Sequence, residues 1–475
     1  MGRDLIDLGS LAGVVAGRLG GRIVGDPSAV VSGMTHDSRL VAPGMLFACV
    51  RGHDHDGHAF APVAVAAGAA CLLVDHELAL DAPQLVVVDT RQAMGPVASA
   101  VYGRPSDALT MVGITGTNGK TTTAHLLAAI LRAAGRPTGL IGTLSGPHTT
   151  PEAPELQARL ARFHDDGDVA VVMEVSSHAL SLHRVDGTRF AAAVFTNLGT
   201  DHLDLHGSAE EYFRAKARLF TPELADFGVT NTDDLHGRLL FDAAPIEMVP
   251  YSIGDVTDVV VTADRHAFTW RGRRIDVGLG AGFNVMNSVA AATTAATLGI
   301  ELDAMVEGLA DVRSVPGRFE RVVDDRPDVP TVIVDYAHTP DGLAELLAAA
   351  RQITDGAVLV VFGCGGDRDQ GKRPRMGAVA ARLADHVVVT SDNPRSERPG
   401  AIIDAVVAGV GAADRTKVEV EADRAAAIER ALELASPGDV VVVAGKGHET
   451  TQTIGAQVVP FDDRDVVRRL LERRT

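Results

Sequence analysis

Apolar runs of strand length recur along this chain, separated by stretches whose apolar positions repeat at helical spacing. Near the N-terminus, GMLFACV and AACLLVD read as buried strands, and AFAPVAVAAGA between them reads as a helix. YGRPSDA, residues 102–108, is rich in turn formers and reads as a joint. A new unit starts at LTMVGIT, an apolar run that leads into a glycine-rich loop. TAHLLAAILRAAG follows as an amphipathic helix with a glycine stop. VAVVMEVS (169–176) and AAAVFTNLG (191–199) are further β-branched runs, and FNVMNSVAAATTAATLG is another helix. After SVPGRFE (314–320) the pattern restarts. TVIVDYA, AVLVVFGCGG, HVVVTSD and VVVVAG alternate there with the helical LAELLAAARQI, MGAVAARLAD and AAAIERALELA. Strands alternating with helices predict mainly parallel sheets with crossover helices. In the last unit, ligands are expected at the carboxyl ends of the strands.

At 475 residues the chain exceeds one ordinary core, so two or three domains are expected. The formal charge of −18 disfavours non-specific binding to nucleic acid or an anionic membrane. No apolar run approaches the ~20 residues of a membrane-spanning helix. The opening MGRDLIDLGSLAGVVAG carries acidic residues and no cleavage-site pattern, and reads as mature sequence. Cys49, Cys71 and Cys364 are far apart, and none forms a C-x-x-C. That points to a reducing compartment, the cytoplasm, and away from disulfides or structural zinc. Positive charge is almost all arginine; lysine stands only at 120, 216, 372, 417 and 446. A retained lysine flags chemistry that a guanidinium cannot perform. Lys120, Lys372 and Lys446 sit beside glycines, whereas Lys216 lies in the plain helical AEEYFRAKARLF.

GITGTNGKTTT (113–123) has the strand-to-helix context of a phosphate-binding loop. Gly116 and Gly119 let backbone N–H groups approach phosphate, and the helix N-terminus favours the anion. Lys120 can reach the β- and γ-phosphates, and the Thr121 hydroxyl can ligate Mg²⁺. The loop is therefore read as an ATP site, although Ile114 stands where the usual template has its first glycine. Glu174 ends a buried strand, either as a Mg²⁺ ligand or as a strand-end carboxylate in a salt bridge. Asp201, His202, Asp204 and His206 either suit a divalent cation or form a solvated polar loop. GHDHDGH (52–58) invites a zinc reading, but its histidines crowd one turn with no partner cluster in the sequence. A polar substrate-binding loop is expected there. SDNPRSERP (391–399), taken alone, reads as a surface turn.

Together these motifs resemble the Mur ligase family, the ATP-dependent amide-forming enzymes of bacterial cell-wall precursor synthesis. The resemblance rests on HDSR, GHDHDGHAF, TTPEAPELQ, MEVSSHALSLHRV, FTNLGTDHLDLHG, FNVMNS, VPGRFE, VDYAHTPD, FGCGGDRDQGKRP, DNPR and GKGHE, in that order. The family loop is G-x-T-G-T-x-G-K-T, so Ile114 is normal there. The resemblance implies an α/β fold of three domains. Residues 1–106 would hold the UDP end of one substrate, 107–313 would form a central ATP-binding phosphate-loop domain, and 314–475 a Rossmann-like amino-acid-binding domain. It implies transfer of the γ-phosphate of ATP to a D-glutamate carboxylate, and attack of an amine on the acyl phosphate.

By the same resemblance, Gly116, Thr117, Asn118, Gly119, Lys120, Thr121, Thr122, Asn284, Asn287, Arg318 and Asp335 hold the nucleotide. Lys120, Glu174, His202 and Lys216 are catalytic. Thr121, Glu174, His202 and a CO₂-derived carbamate on Lys216 serve two Mg²⁺ ions; an arginine cannot form that carbamate. Ser38, His53, Asp54 and His55 meet the uridine end of a UDP-N-acetylmuramoyl-dipeptide. Thr149, Thr150, Ser176 and Arg184 hold its muramoyl-dipeptide part, with Leu182 standing where the family often has Gln. Arg368, Asp392, Asn393, Pro394, Arg395, Gly445 and Glu449 take the incoming amino acid. Arg395 offers a bidentate fork for a distal carboxylate, which points to meso-diaminopimelate rather than L-lysine. A folylpolyglutamate synthase-like ligase is the further alternative, and it lacks both the N-terminal unit and the DNPR turn. A monomer is expected, with no nucleic-acid partner and no membrane insertion.

Overall fold

Three sheets follow one another along the chain, each built mainly from parallel strands. The structure, a computed structural model, describes residues 5–52, 55–201, 203–322 and 326–473, with only the backbone of residues 203 and 204. The first sheet orders Arg22–Val24, Gln84–Val86, Cys71–Val74, Met45–Ala48 and Gly33–Thr35, and only the Arg22–Val24 edge runs antiparallel. The expected helix between its strands is a 3₁₀ turn, Gly57–Phe60, followed by Ala61–Ala66.

The second sheet has six strands, all parallel. Their order is Glu247–Tyr251, Ala225–Asn231, Phe190–Phe195, Thr110–Thr115, Ala170–Glu174 and Thr138–Ile141. Both of its faces are covered. Val112 and Ile114 pack under the helices Lys120–Ala133 and Phe283–Thr297, while Met111, Val171 and Phe195 pack on the opposite side with Leu156 and Leu160. Burial on both faces explains why these strands read as unbroken apolar runs.

A three-stranded antiparallel sheet, Val256–Val261, His266–Trp270 and Arg273–Val277, packs on the same core through Phe268, Trp270 and Ile275. The pattern of apolar runs does not show it. One of its faces is wet, so RGRRID carries charge between its few apolar positions and forms no apolar run. The third sheet orders Glu320–Val322, Thr331–Asp335, Val440–Ala444, Val358–Phe362, His386–Val389 and Val418–Val420, parallel except at the Glu320–Val322 edge. Helices cover both of its faces, Pro340–Gln352 and Lys372–Leu383 on one, Arg424–Leu434 and Asp463–Glu472 on the other.

Cys49, Cys71 and Cys364 are free and buried, and burial pushes each thiol up to about 12. Among the described residues, no helix is long and apolar enough to cross a membrane.

Candidate active site

The strand Thr110–Thr115 delivers the chain to the glycine loop, and the helix begins at Lys120. Gly116 and Gly119 have φ of +150° and +85°. A Cβ at Gly116 would stand 1.9 Å from Thr196 Oγ1, and one at Gly119 would stand 2.4 Å from Asn287 Oδ1. Both positions therefore demand glycine on two grounds, conformation and space. Lys120 Nζ donates to the carbonyls of Gly116 (2.9 Å) and Thr117 (2.8 Å). Thr117 Oγ1 lies 3.1 Å from the Tyr212 hydroxyl, and the Asn118 N–H donates to Asn197 Oδ1 at 2.9 Å. The loop lines a cavity of about 250 Å³ together with Thr121, Thr122, Glu174, Asp201, Asn287, Arg318 and Asp335. The second and third sheets both contribute walls to it.

Glu174 stands buried at the carboxyl end of its strand. Its Oε2 accepts from the hydroxyls of Thr121 (3.0 Å) and Thr143 (3.2 Å), and its Oε1 accepts from the Thr143 N–H at 2.8 Å. Hydroxyls and one amide hold this carboxylate, and among the described residues it has no salt-bridge partner. Sequence reasoning misses Thr143. Parallel pairing of Thr138–Ile141 with Ala170–Glu174 brings it there, and only the sheet order reveals that. Arg318 Nη2 donates to Thr121 Oγ1 at 3.0 Å, and its guanidinium lies 4.6 Å over the Tyr336 ring. The buried Arg318 Nε has no hydrogen-bond partner among the described residues. Asp335 accepts from the N–H groups of Phe319 (2.6 Å) and Ala337 (2.7 Å). Burial raises its pKa, against the pull of Arg318 and these two amides. Asn287 faces the loop from its helix, accepting from Thr123 Oγ1 at 3.3 Å and donating to Asn284 Oδ1 at 2.9 Å. Tyr336 and His338 also line the cavity; the motif VDYAHTPD contains both, yet its pattern assigns neither a role.

Lys216 is 1% exposed, and its Nζ donates to the Gly116 carbonyl at 2.8 Å, the same oxygen that Lys120 uses. Burial drives its pKa well down, the Lys120 charge adds to that, and Asp201 opposes it. His202 lies outside the described residues, as does the Asp204 side chain. Of the remaining cluster, Asp201 lines the cavity, while His206 Nε2 turns to Ser177 Oγ at 3.0 Å. Asp201 and His206 are therefore not simply solvated.

Thr149, Thr150, Ser176 and Arg184 gather at one side of Glu174. Thr150 Oγ1 donates to the Glu174 carbonyl (2.9 Å) and accepts from the Ser176 N–H (3.0 Å), and Thr149 Oγ1 lies 3.1 Å from Thr143 Oγ1. Arg184 donates to the Thr150 carbonyl at 3.1 Å and pairs with Glu152 at 2.9 Å. Glu152 also takes Arg91 of the first unit at 2.7 Å. Ser38 opens the 3₁₀ turn Ser38–Leu40 just beyond the first sheet, and His55 is exposed. His53 and Asp54 lie outside the described residues. The histidine-rich loop does have spatial partners, which its sequence neighbourhood does not show. His58 bonds Asp56 Oδ1 through Nδ1 (2.6 Å), accepts from the Asp75 N–H through Nε2 (3.3 Å) and stacks on His76. These bonds occupy both ring nitrogens.

The turn at 392–395 is not a surface turn. Asp392 and Asn393 are 6% and 7% exposed, and Pro394 is buried with them. Asn393 Nδ2 donates to Glu449 Oε2 at 2.7 Å, and buried Lys446 donates to the same oxygen at 3.0 Å. Burial raises the Asp392 pKa, while Arg424 and Lys446 pull it down. Arg395 has φ of +51° and donates from Nη1 to the Gly366 carbonyl at 2.7 Å. Arg368 is exposed on the adjoining loop. The Gly445 N–H donates to the Asp335 carbonyl at 3.0 Å, which ties this cluster of side chains to the cavity wall.

Three family models match successive parts of the chain. They are the Mur ligase family catalytic domain over residues 30–102, the Mur ligase middle domain over 114–295 and the Mur ligase glutamate ligase domain over 317–447. The UDP-N-acetylmuramoyl-L-alanyl-D-glutamate–2,6-diaminopimelate ligase of Streptomyces coelicolor is 45% identical over 477 residues, covering 94% of each chain. The protein of the same name from Synechococcus elongatus is 46% identical and also covers 94% of each. A solved structure of a ligase of that name aligns over 99% of both chains with a TM-score of 0.68 and 32% identity. With all three units matched in order and relatives alike from end to end, the chain belongs to the Mur ligase family.

Proposed function

We propose that this chain joins meso-diaminopimelate to UDP-N-acetylmuramoyl-L-alanyl-D-glutamate, with ATP as phosphoryl donor. One observation carries the reading most directly: a phosphate loop and a buried carboxylate share a cavity whose far wall leads, through Asp335 and Gly445, to the cluster of Asp392, Asn393 and Glu449 beside Arg395. The names of the relatives agree with it. We draw the domain boundaries at 106/107 and 313/314, with the UDP end on the first unit, ATP on the second and the amino acid on the third. The chain then acts as a monomer in the cytoplasm.

The reaction joins two anions before it joins an amine. A carboxylate oxygen of the D-glutamate attacks the γ-phosphorus of ATP, and ADP leaves. The amine nitrogen then attacks the acyl carbon, phosphate leaves, and the nitrogen loses a proton to give the amide. Lys120, at the floor of the loop, offsets the charge that gathers on the transferred group. The Thr121 hydroxyl and the Glu174 carboxylate, 3.0 Å apart, are the oxygen donors a hard cation takes, and they fit Mg²⁺. With His202 and a carbamate on Lys216 they would hold two such ions, which would neutralise the phosphoryl charge. An ammonium at Lys216 would face Lys120 and the cations. A carbamate, formed when the neutral amine takes up CO₂ and releases a proton, reverses that sign. Thr149, Thr150, Ser176 and Arg184 orient the acceptor carboxylate beside Glu174, with no help from Leu182, which has no polar group to offer.

Arg395 sets the choice of amino acid. Meso-diaminopimelate and lysine differ by one distal carboxylate, which the guanidinium would pair and lysine would leave unmet. Leaving such a group unpaired gives discrimination on the order of 10⁴-fold. In a ligation assay with both amino acids present, diaminopimelate should be incorporated almost exclusively. Comparable incorporation of lysine by the unmodified protein would remove the assignment.

A further inference from the structure

Below the Asp392–Arg395 turn and the Gly445–Glu449 loop lies an ion pair that no part of the proposed chemistry uses. Arg424 is the first residue of the helix Arg424–Leu434, and Asp463 is the first residue of Asp463–Glu472. Neither side chain has any exposed surface. Arg424 Nε donates to Asp463 Oδ1 at 2.7 Å and Nη2 to Oδ2 at 2.8 Å, a bidentate pair. The rest of the guanidinium faces the sheet. Nη2 also donates to the Ala444 carbonyl at 2.9 Å, and Nη1 to the Ser391 carbonyl at 3.3 Å.

Those two carbonyls have a particular place. Ser391 immediately precedes Asp392, and Ala444 immediately precedes Gly445. They end the strand segments that carry the two loops, and the strand Val358–Phe362 lies between those strands in the sheet. The two strands therefore exchange no ladder hydrogen bond, and the loops meet beyond the strand ends, where the Arg395 N–H donates to the Thr453 carbonyl at 3.0 Å, Gln452 Nε2 donates to the Asp392 carbonyl at 2.6 Å and Asn393 Nδ2 donates to Glu449. At the strand ends themselves, before the loops begin, one rigid guanidinium spans the gap, and it is fixed by a carboxylate on a third element. Stability alone gives no reason for such a group. Desolvating an ion pair offsets most of its attraction, and apolar side chains of similar volume hold a core as well or better. What a planar fork with five fixed donors adds is geometry.

We infer that Arg424, held by Asp463, is a positioning residue that sets the spacing between the Asp392–Arg395 turn and the Glu449 loop, and so the fit of the incoming amino acid. The inference rests on the proposed function for the identity of that amino acid. Arg424 touches no substrate, and its effect passes through the carbonyls of Ser391 and Ala444.

The test measures apparent KM for diaminopimelate, for ATP and for the UDP-linked dipeptide by ADP release, in the Arg424→Lys and Asp463→Asn proteins. A lysine keeps the charge but cannot reach both carbonyls and both carboxylate oxygens. Its KM for diaminopimelate should rise about 10- to 100-fold, with the other two within about two-fold of the parent. Asp463→Asn keeps the shape and one acceptor oxygen, and should move the same constant in the same direction by less. If Arg424→Lys does not fold, Asp463→Asn decides alone. Equal changes in all three constants, or a lower melting temperature with every KM unchanged, would make the pair a structural element only and overturn the inference. If the parent protein instead releases ADP with a different amino acid, the functional reading fails, and the same comparison made with that amino acid still decides the role of Arg424.

Discussion

Two lysines share one carbonyl at the heart of this site. Lys120 and Lys216 both donate to Gly116, and Lys216 is too deeply buried to turn toward solvent. Burial and the neighbouring Lys120 charge both push the Lys216 pKa down, which favours the neutral amine that carbamate formation would require. Lys216→Arg should therefore lose most ligase activity although it keeps a cation, and Lys216→Ala should lose it while the fold persists. Bicarbonate-dependent activity of the parent and short carboxylates added to the alanine protein give further readouts. Full activity of Lys216→Arg would show that no carbamate is needed. Lys216 is legible in the sequence, because lysine is scarce in a chain that otherwise uses arginine. Thr143 is not. It sits in GTLSGPH, which no spacing rule marks, and it meets Glu174 only because two strands are neighbours in the sheet.

The elements are legible in proportion to how they are buried. Strands covered on both faces appear as apolar runs, and Thr110–Thr115, Ala170–Glu174, Val358–Phe362 and Val440–Ala444 all fall inside the predicted stretches. The antiparallel sheet over 256–277 escapes because its two outer strands are mostly exposed, and only the central His266–Trp270 is buried nearly along its length. Its one sequence clue is His266, a histidine among apolar and β-branched residues. His266 is fully buried, with Nδ1 2.6 Å from the Leu279 carbonyl and Nε2 2.9 Å from Ser288 Oγ. Burial lowers its pKa from 6.5 to about 4. Between those values the unfolded chain binds a proton that the folded chain refuses. Stability is thus fully present above pH 6.5 and falls as the pH drops, by about 3 kcal/mol once both forms are charged. His266→Gln keeps a donor and an acceptor but cannot titrate. The melting-temperature advantage of the parent over this variant should shrink steadily from pH 7 to pH 4.5. A constant difference across that range would mean His266 is not the titrating group.

At the scale of the whole molecule, single side chains join the units. Glu152 holds Arg91 of the first unit and Arg184 of the second, Arg318 of the third reaches Thr121, and Asp341 accepts from the Thr200 N–H at 2.7 Å. The motifs at these joints are legible as words, but their meeting depends on how three separate sheets face one another, which no local pattern encodes. The buried thiols turn this arrangement into something that can be watched. At pH 8 a thiol raised to about 12 is ionised to roughly one part in ten thousand, against about a quarter for a free cysteine. Folded protein should therefore ignore iodoacetamide, and each cysteine should alkylate only when its own surroundings open. Cys49 and Cys71 report on the first sheet and Cys364 on the third, so peptide mass spectrometry across a urea series yields two separate clocks in the natural sequence. Nucleotide should slow the Cys364 clock far more than the other pair, because the third unit walls the cavity and the first does not. Equal slowing of all three, or alkylation of any of them without denaturant, would contradict that picture.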